Sequence, residues 1–484
     1  MITPLFPAWR ARLAALGQRS VRHFRQATLE QLSRQLADLI PGHLLARAEE
    51  GPNSRDRIYS LRLTCECFLW QMLNRQTSCR EVVRQVQAQF RLHGGGAVEE
   101  GPSAYIQARQ RLSQECLEQV LAATAWATDQ RAGWATRLQG RPVKVVDGSS
   151  VQLPDTRANQ KAYPQPSGQK PGCGFPVMKL AVLFSLASGA LLDVVLGNLH
   201  SHDLRLLRQL WEQLKAGDIL LGDRAYGDYV TLAGLPQQGV DVVARLHQNR
   251  KVAFRKARKL GHDDGVFVWH KGGQQSSILT SKQWAALPAE IEVRIVRFTA
   301  VCRGFRSQRI MLVTTLLDAE KYPVAELIAL YARRWRLELC LRDVKTTLGL
   351  EKLRCQSPAM VRKELLAGLI AHNLIRCVMA EAAAVQRAEL ERLSFKGTVD
   401  ALRQYSAALA QARTRKMKRA LWQDLLRALA RDLVPFRPER TEPRAIKRRP
   451  KPYPLLNRPR RQFVELPHRN NRRKGGPRKY QGLI

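Results

Sequence analysis

Apolar residues recur at helical spacing in four stretches of the first part of the chain, 28–40, 58–74, 78–90 and 103–126. This predicts a helical region over 1–135. The glycine run Gly94-Gly95-Gly96 separates the third stretch from the fourth. Ser103 stands where a cap is expected for SAYIQARQRLSQECLEQVL, a helix that carries Arg109 and Arg111.

From 141 the period changes. VKVVD (143–147), VMKLAVLF (177–184) and LLDVVL (191–196) are strand patterns, the last two joined by Ala187-Ser188-Gly189 as a hairpin. A helix (203–215), the short apolar strand DILLGD (218–223), a second helix and the strand DVVARL (241–246) follow. Three consecutive strands and then alternation of helix and strand is a mixed α/β order, the pattern expected of a ribonuclease H-like core over 141–350. Basic, strand-rich sequence interrupts it at 247–320, with RKVAFRKARK (250–259), IEVRIVRFTAV (291–301) and RIMLVTTLL (309–317). A long helix is then predicted from Pro323, a favourable first-turn residue, to Gly349. Helical segments continue over 351–434. The segment 435–484 holds 16 Lys and Arg, 3 Asp and Glu and nine prolines, so it is expected to be an extended basic tail.

Composition narrows the partner. Over 484 residues, 80 Lys and Arg against 41 Asp and Glu leave a formal charge of +39, while 45% of residues are hydrophobic. A folded chain with that excess is expected to meet a polyanion, nucleic acid first. A basic ribosome-like or RNA-coating protein, or a surface that is merely soluble, shares the charge. The nine cysteines have no C-x-x-C pairing, which argues against structural zinc and a disulfide framework. Arg10 and Arg12 fall where a signal peptide would be apolar, and Asp193 breaks the apolar stretch 179–197, so no membrane segment is expected. A cytoplasmic, nucleoid-associated protein is the resulting expectation.

Candidate chemistry sits at strand ends. Asp147 closes VKVVD before Gly148-Ser149, and Asp223 closes DILLGD before Arg224. Open α/β sheets bind ligands at the carboxyl ends of their strands, so two aspartates there could share a divalent metal. Each alone reads as readily as a turn or cap residue. On the helix after Pro323, at about 100° per residue, Tyr331, Arg334, Glu338 and Lys345 fall within about 60° of one another. Leu330, Leu337, Leu341, Val344 and Leu348 form an adjoining apolar stripe. A polar face beside such a stripe, instead of opposite it, marks the edge of a cleft.

The spacing Tyr331, Arg334, Glu338, Lys345, in order after VVDGSSVQLPDT and ILLGDRAYGDY, resembles the Tyr-Arg-Glu-Lys signature of the Asp-Asp-Glu transposases of the insertion-sequence-four family. The specific motifs run from 141 to 357, with weaker likeness in SAYIQARQRL and KRRPKPYPLL. The resemblance implies that Asp147, Asp223 and Glu338 are a catalytic triad binding two Mg²⁺ or Mn²⁺ ions. It implies that Tyr331, Arg334 and Lys345 hold DNA phosphates. It further implies terminal inverted repeats and target DNA as partners, cut-and-paste cleavage and strand transfer, and a homodimer in the synaptic complex. The separation of Asp223 from Glu338 resembles that family's β-rich insertion. Some relatives hold a flipped base with an aromatic wedge there; this chain has Ile310-Met311. Met311 could insert as an apolar wedge, or belong to a core strand; Trp269 and Trp284 are weaker wedge candidates.

RKVAFRKARK is expected beside the catalytic residues, and Trp335 is expected to pack inward. His200, His202 and Asp203 read as a loop entering a helix, and Asp155, Asp193, Asp218 and Asp228 as turn or cap residues. Two alternatives stay open: a non-catalytic DNA-binding descendant of such an enzyme, and a metal-dependent nuclease of the same fold.

Overall fold

The computed structural model describes residues 40–46, 57–74, 77–92, 97–132, 137–170, 172–276, 278–300 and 308–435. The helical stretch 28–40, except its last residue, the glycine run and the tail after 435 lie outside the described residues. Two compact units divide the chain. One joins residues before 133 to 365–436, and the other contains 133–364.

In the first unit the segment 103–126 is two helices, Ser103–Arg111 and Gln114–Ala132. Leu112 is extended, and the Ser113 hydroxyl accepts from Cys116 N–H at 3.0 Å, which starts the second helix. Arg109 is buried; its guanidinium lies 4.1 Å from the Phe68 ring centre and donates to Cys79 Sγ. It is a packing residue of this unit. The rest of the unit is the helices Leu61–Leu73, Cys79–Leu92, Phe395–Gln411 and Arg415–Arg431, with most of Pro358–Gln386. Pro358–Gln386 is long and apolar enough to cross a bilayer, which the sequence reading passed over, but 89% of its most apolar window is buried in the protein.

The second unit is built on one nine-stranded sheet in the order β3-β2-β1-β4-β5-β9-β8-β7-β6. The strands are β1 Val143–Gln152, β2 Val177–Ser185, β3 Leu191–Gly197, β4 Ile219–Gly222, β5 Asp241–Arg245, β6 Arg258–Gly261, β7 Asp264–His270, β8 Glu290–Ala300 and β9 Gln308–Thr314. β1, β2 and β3 are antiparallel, whereas β1, β4 and β5 run parallel. Parallel strands buried on both faces read as unbroken apolar runs, and all four residues of β4 are buried. Val146, Leu183, Leu220, Val242, Ala244, Ile295 and Val313 form one core with the helix Asp203–Gln209 and the turn bearing Trp211. Against β5 and β1 lie the helices Val324–Arg333 and Trp335–Arg342, respectively.

The insertion is not a separate layer. β9 pairs with β5 and β8 with β9, both antiparallel, so the sheet continues through it. RKVAFRKARK is mostly irregular, ends in β6, and leads away from β4 to the far edge of the sheet. At about 4.8 Å per strand, five steps put β6 roughly 24 Å from β4. The end of the segment, Arg258 and Lys259, therefore stands away from Asp223 and not beside it as expected. Charged Arg258 and Lys259 suit an edge strand, because they discourage pairing with another chain.

A buried ion pair ties the insertion to the helix that follows. Arg294, fully buried on β8, donates to both carboxylate oxygens of Asp264, at 2.8 and 2.6 Å. It also donates to the carbonyls of Tyr322 and Asp318, just before the helix starting at Val324. Removing one partner strands the other charge, a loss of about 3–5 kcal/mol. Chemical denaturation of Arg294→Met should show a loss of that size. Arg294→Met/Asp264→Leu should recover most of it, and equal losses in the two variants would contradict the pairing.

Candidate active site

The register of the parallel ladders sets the site. Val143 lies opposite Ile219 and Val145 opposite Leu221, and the same step carries Asp147 to the level of Asp223. Ile219 lies opposite Asp241 and Gly222 opposite Ala244, which carries Asp223 to the level of Arg245. Three neighbouring strands thus bring Asp147, Asp223 and Arg245 to one line, at the carboxyl ends of β4 and β5. Asp147 does not close its strand as expected. β1 continues to Gln152, paired there with β2 and, at Gln152 itself, bridged to Lys352, so the aspartate stands just past the last partner on β4. Arg245 was not singled out from the sequence, although it ends its strand as Asp223 follows its own.

Local chemistry holds the two aspartates. One Asp147 oxygen accepts from Gly148 N–H at 2.8 Å, and one Asp223 oxygen accepts from Ala225 N–H at 2.8 Å, capping the turn Arg224–Tyr226. The cap reading of Asp223 is thus correct and leaves its second oxygen for other work. Gly222 has a steric reason: a Cβ there would come within 2.8 Å of Tyr226. At Gly148, which faces the other side of the sheet from Asp147, a Cβ would meet nothing nearer than the Leu180 carbonyl at 4.0 Å.

The predicted continuous helix is broken in two places. Val324–Arg333 and Trp335–Arg342 meet at Arg334, where Arg334 N–H bonds Tyr331 O and Leu337 N–H bonds Arg334 O, both three residues apart. Asp343–Thr347 is a π turn, closed by Leu348 N–H on Asp343 O at 3.0 Å, and Gly349 ends it at φ 77°. The end of the helix is then sewn to β1: Gln152 N–H bonds Glu351 O, and Leu353 N–H bonds Gln152 O. Leu330, Leu337, Val344 and Leu348 are buried, as the apolar stripe predicts, with Leu341 half-buried.

Arg334 is the centre of the polar face. Its guanidinium donates to Glu338 at 3.2 Å, reaches within 4.0 Å of Asp147, and lies 5.8 Å from the Tyr331 ring centre. Burial pushes the Asp147 carboxyl above the ordinary range; Gly148 N–H and Arg334 pull it down, while Asp223 and Glu338 push it up. Burial disfavours the Arg334 charge, yet Tyr331, Asp147 and Glu338 hold its pKa above the usual value. Burial likewise raises the Tyr331 phenol, with Arg334 and Arg245 opposing and Asp223 assisting. The Lys345 ammonium is lowered by burial, against the attraction of Glu351 and Asp147. All six signature residues therefore belong to one electrostatic neighbourhood, and Arg245 joins it.

The donor set suits a divalent cation in kind: three carboxylates, oxygen only, in a partly desolvated place where like charges already oppose ionisation of Asp147. Among the described residues no three His, Cys, Asp or Glu groups gather at metal-binding spacing. Arg334 instead supplies the positive charge between Asp147 and Glu338.

Other expectations resolve as follows. Met311 is partly buried and packs on the core, the strand reading. Trp269 carries the Arg250 guanidinium 3.8 Å from its ring centre, and Trp284 packs on the core beside Lys271. His202 caps the helix Asp203–Gln209 through Nδ1, and Asp228 caps Tyr229–Gly234. Asp155 accepts from the Gln160 amide, Asp193 from Val194 N–H, and Asp218 from Lys215 N–H while pairing with Lys144. Trp335 is not packed inward: it is 60% exposed, next to Arg334.

Two measurements check this geometry. Trp335→Ala should change unfolding stability by less than about 0.5 kcal/mol, since little contact is lost; a loss above ~2 kcal/mol would show a packed ring. Because the folded pKa of Asp147 is raised, the folded state binds its proton more tightly, and stability falls as pH rises from about 4 through the folded value. Arg334→Gln removes an opposing cation and should steepen that fall. Denaturant titrations over pH should show the extra slope vanish in Arg334→Gln/Asp147→Asn.

A family model described as transposase DDE domain matches residues 138–374. The transposase InsG for insertion sequence element IS4, from Escherichia coli strain K12, is 27% identical over 431 residues, covering 87% of this chain and 93% of that one. The cryo-EM structure of the piggyBac transposase synaptic complex with hairpin DNA covers 87% of this chain and 88% of its own, at 8% identity and a TM-score of 0.40, too low to bear on the fold. With the signature residues gathered at one sheet end, the first two of these matches support an Asp-Asp-Glu transposase of the insertion-sequence-four family, a bacterial insertion-sequence transposase.

Proposed function

We propose that β1–β5 with the helix bearing Glu338 form a ribonuclease H-like core, and that Asp147, Asp223 and Glu338 are its catalytic carboxylates. The observation that carries this reading is the common level of Asp147 and Asp223 on adjacent parallel strands, with Glu338 coupled to Asp147 across the guanidinium of Arg334. The substrate is DNA at the terminal inverted repeats of the element. Water cleaves a phosphodiester there, and the freed 3′-hydroxyl then attacks target DNA, so one P–O bond forms as another breaks in each step. Two ends to be cut and joined favour a homodimer in the synaptic complex, acting at the nucleoid. The helices before 133 are proposed to contribute DNA binding.

Mg²⁺ or Mn²⁺, two ions by family resemblance, would be held by the three carboxylates and would relieve charge on the attacking and leaving oxygens. The chain's own residues do the rest. Arg334 balances the acids, and its planar guanidinium is of the kind that takes phosphate oxygens in pairs. Lys345 and Arg245 add point charge and a second guanidinium at the same sheet end, and Tyr331 offers a phenolic donor. Partial burial strengthens each of these contacts relative to open water.

The test is DNA carrying the element's ends, incubated with Mg²⁺ and wild type or Asp147→Ala, Asp223→Ala or Glu338→Ala. Each variant should cleave at least about a thousandfold more slowly while still shifting the DNA in a gel. Equal cleavage by wild type and variants would sink the assignment. Lys345→Ala should weaken engagement of the cut end and leave Mn²⁺ uptake by calorimetry unchanged; lost uptake would make Lys345 part of the metal site instead.

A further inference from the structure

The helix Arg415–Arg431 in the helical unit changes character along its length. From Trp422 onward it is anchored. The Trp422 indole donates to Glu381 at 2.7 Å, Leu425, Leu426 and Leu429 are buried, and its far end is tied down by Leu433 bridging to Leu393. Stepping back by three and four residues from Leu426, the same line passes through Trp422 and then reaches Lys418, Arg419 and Arg415. The stripe that is apolar and buried in the last turns is cationic in the first two. Arg413, Arg415, Lys416 and Arg419 are exposed and Lys418 is half-buried.

These five cations lie within seven residues. Among the described residues, no carboxylate, hydroxyl or ring engages any of their side chains. The next acid along the helix, Asp424, is held by Arg427 at 2.8 Å. The cluster also opposes the helix dipole, whose positive end is at this terminus and disfavours cations. Thr414 caps the helix by accepting from Met417 N–H, so the turn is kept despite the repulsion. Five mutually repelling, unpaired cations at the positive end of a helix are stable only at an electrostatic penalty that an anionic partner removes.

We propose that this end of Arg415–Arg431 is a duplex-DNA holding surface, gripping the phosphate backbone without reading bases. Four features favour DNA. The five charges are spread over seven residues, about two turns, matching a row of phosphates more than a single anion. Lys and Arg with short reach to one another give salt-dependent backbone contact. Four of the five cations are exposed and the fifth is half-buried, an open surface more than an enclosed site for a small ligand. Residues 413–419 include no aromatic, Asn or Gln side chain, so adenine has no amide partner there and the cations are left to the phosphates. The surface rests on the reading of the chain as a transposase, but it lies in the helical unit and shares no residue with the carboxylate site.

The test uses the full chain and two labelled 30-base-pair duplexes, one bearing the element's end and one unrelated, in EDTA so that no cleavage intervenes. Binding is followed by anisotropy across a salt series for wild type and for Arg415→Gln/Lys416→Gln/Lys418→Gln/Arg419→Gln. Removing four backbone contacts should flatten the slope of log affinity against log salt by about 3.6 and weaken binding at least ~tenfold at 0.1 M salt, equally for both duplexes. Lys416→Arg/Lys418→Arg should restore nothing because it removes nothing, and must match wild type. Unchanged slopes on both duplexes would overturn the proposal, as would a loss confined to the element's end, which would mean base reading. A variant that binds DNA normally but no longer binds phosphatidylglycerol vesicles would also overturn it, in favour of a lipid surface. If the quadruple variant lacks a cooperative unfolding transition, Lys416→Gln/Arg419→Gln is read instead, with about half the slope change expected. Because nothing is cleaved in these measurements, their failure leaves the carboxylate assignment standing, and inactivity of the triad in the cleavage test leaves this surface standing.

Discussion

The parallel hydrogen-bond ladders joining β1, β4 and β5 are the constraint on which the site depends. Their register brings Asp147, Asp223 and Arg245, far apart in the chain, to a single level. A slip by one residue in either ladder would turn a side chain to the opposite face of the sheet. Burial of β4 on both faces resists such a slip, because it would expose Leu220 or Leu221 to the wrong layer. The apolar core therefore sets the spacing of the acids, although it shares no atom with them.

Onto that line the sequence lowers a helix that is deliberately irregular. Its tight turn at Arg334 and its wide turn at Asp343–Thr347 have opposite effects on winding, and between them stands Glu338. Both ends are fixed by the sheet. Arg294 holds the carbonyls before the helix, and Gln152 on β1 holds the segment after it. Between two anchored ends the winding must fit the span, and the irregular turns take up the difference. Arg334 then serves as the internal counter-charge that lets several acids approach one another in a partly desolvated cleft.

Much of this was legible in the residues. Val and Leu runs marked the core strands, and the 100° count correctly put Tyr331, Arg334, Glu338 and Lys345 on one face. The same count put Trp335 at about 40° from Tyr331 and over 100° from the apolar stripe, so its exposure was also written there; the general tendency of tryptophan to pack obscured it. The strand β1 was read too short because Gly148-Ser149-Ser150 has no strand propensity, and only pairing with β2 extends it. The tight turn at Arg334 was not legible, since Arg is a good helix former, whereas Asp343, Val344, Thr346 and Thr347 are weak ones and gave a partial sign of the second break. The burial of Arg109 has no mark in SAYIQARQRL, and only the fold revealed Phe68 beneath its guanidinium. The fate of RKVAFRKARK depended on sheet order, which local pattern does not encode.

The continuity of the sheet through β9 bears on how such a chain could have changed over time. β5 has β4 on one flank and β9, a strand of the insertion, on the other. Excising 247–320 would bare the backbone amides and carbonyls of Asp241–Arg245 along an open edge, and would also remove Arg294 from beneath the start of the glutamate helix. The insertion is in that sense no longer an insertion but a structural dependency. Length variation is tolerable at its outer rim, around β6 and the approach to it, whereas β8 and β9 cannot be shed without dismantling the site they were added to.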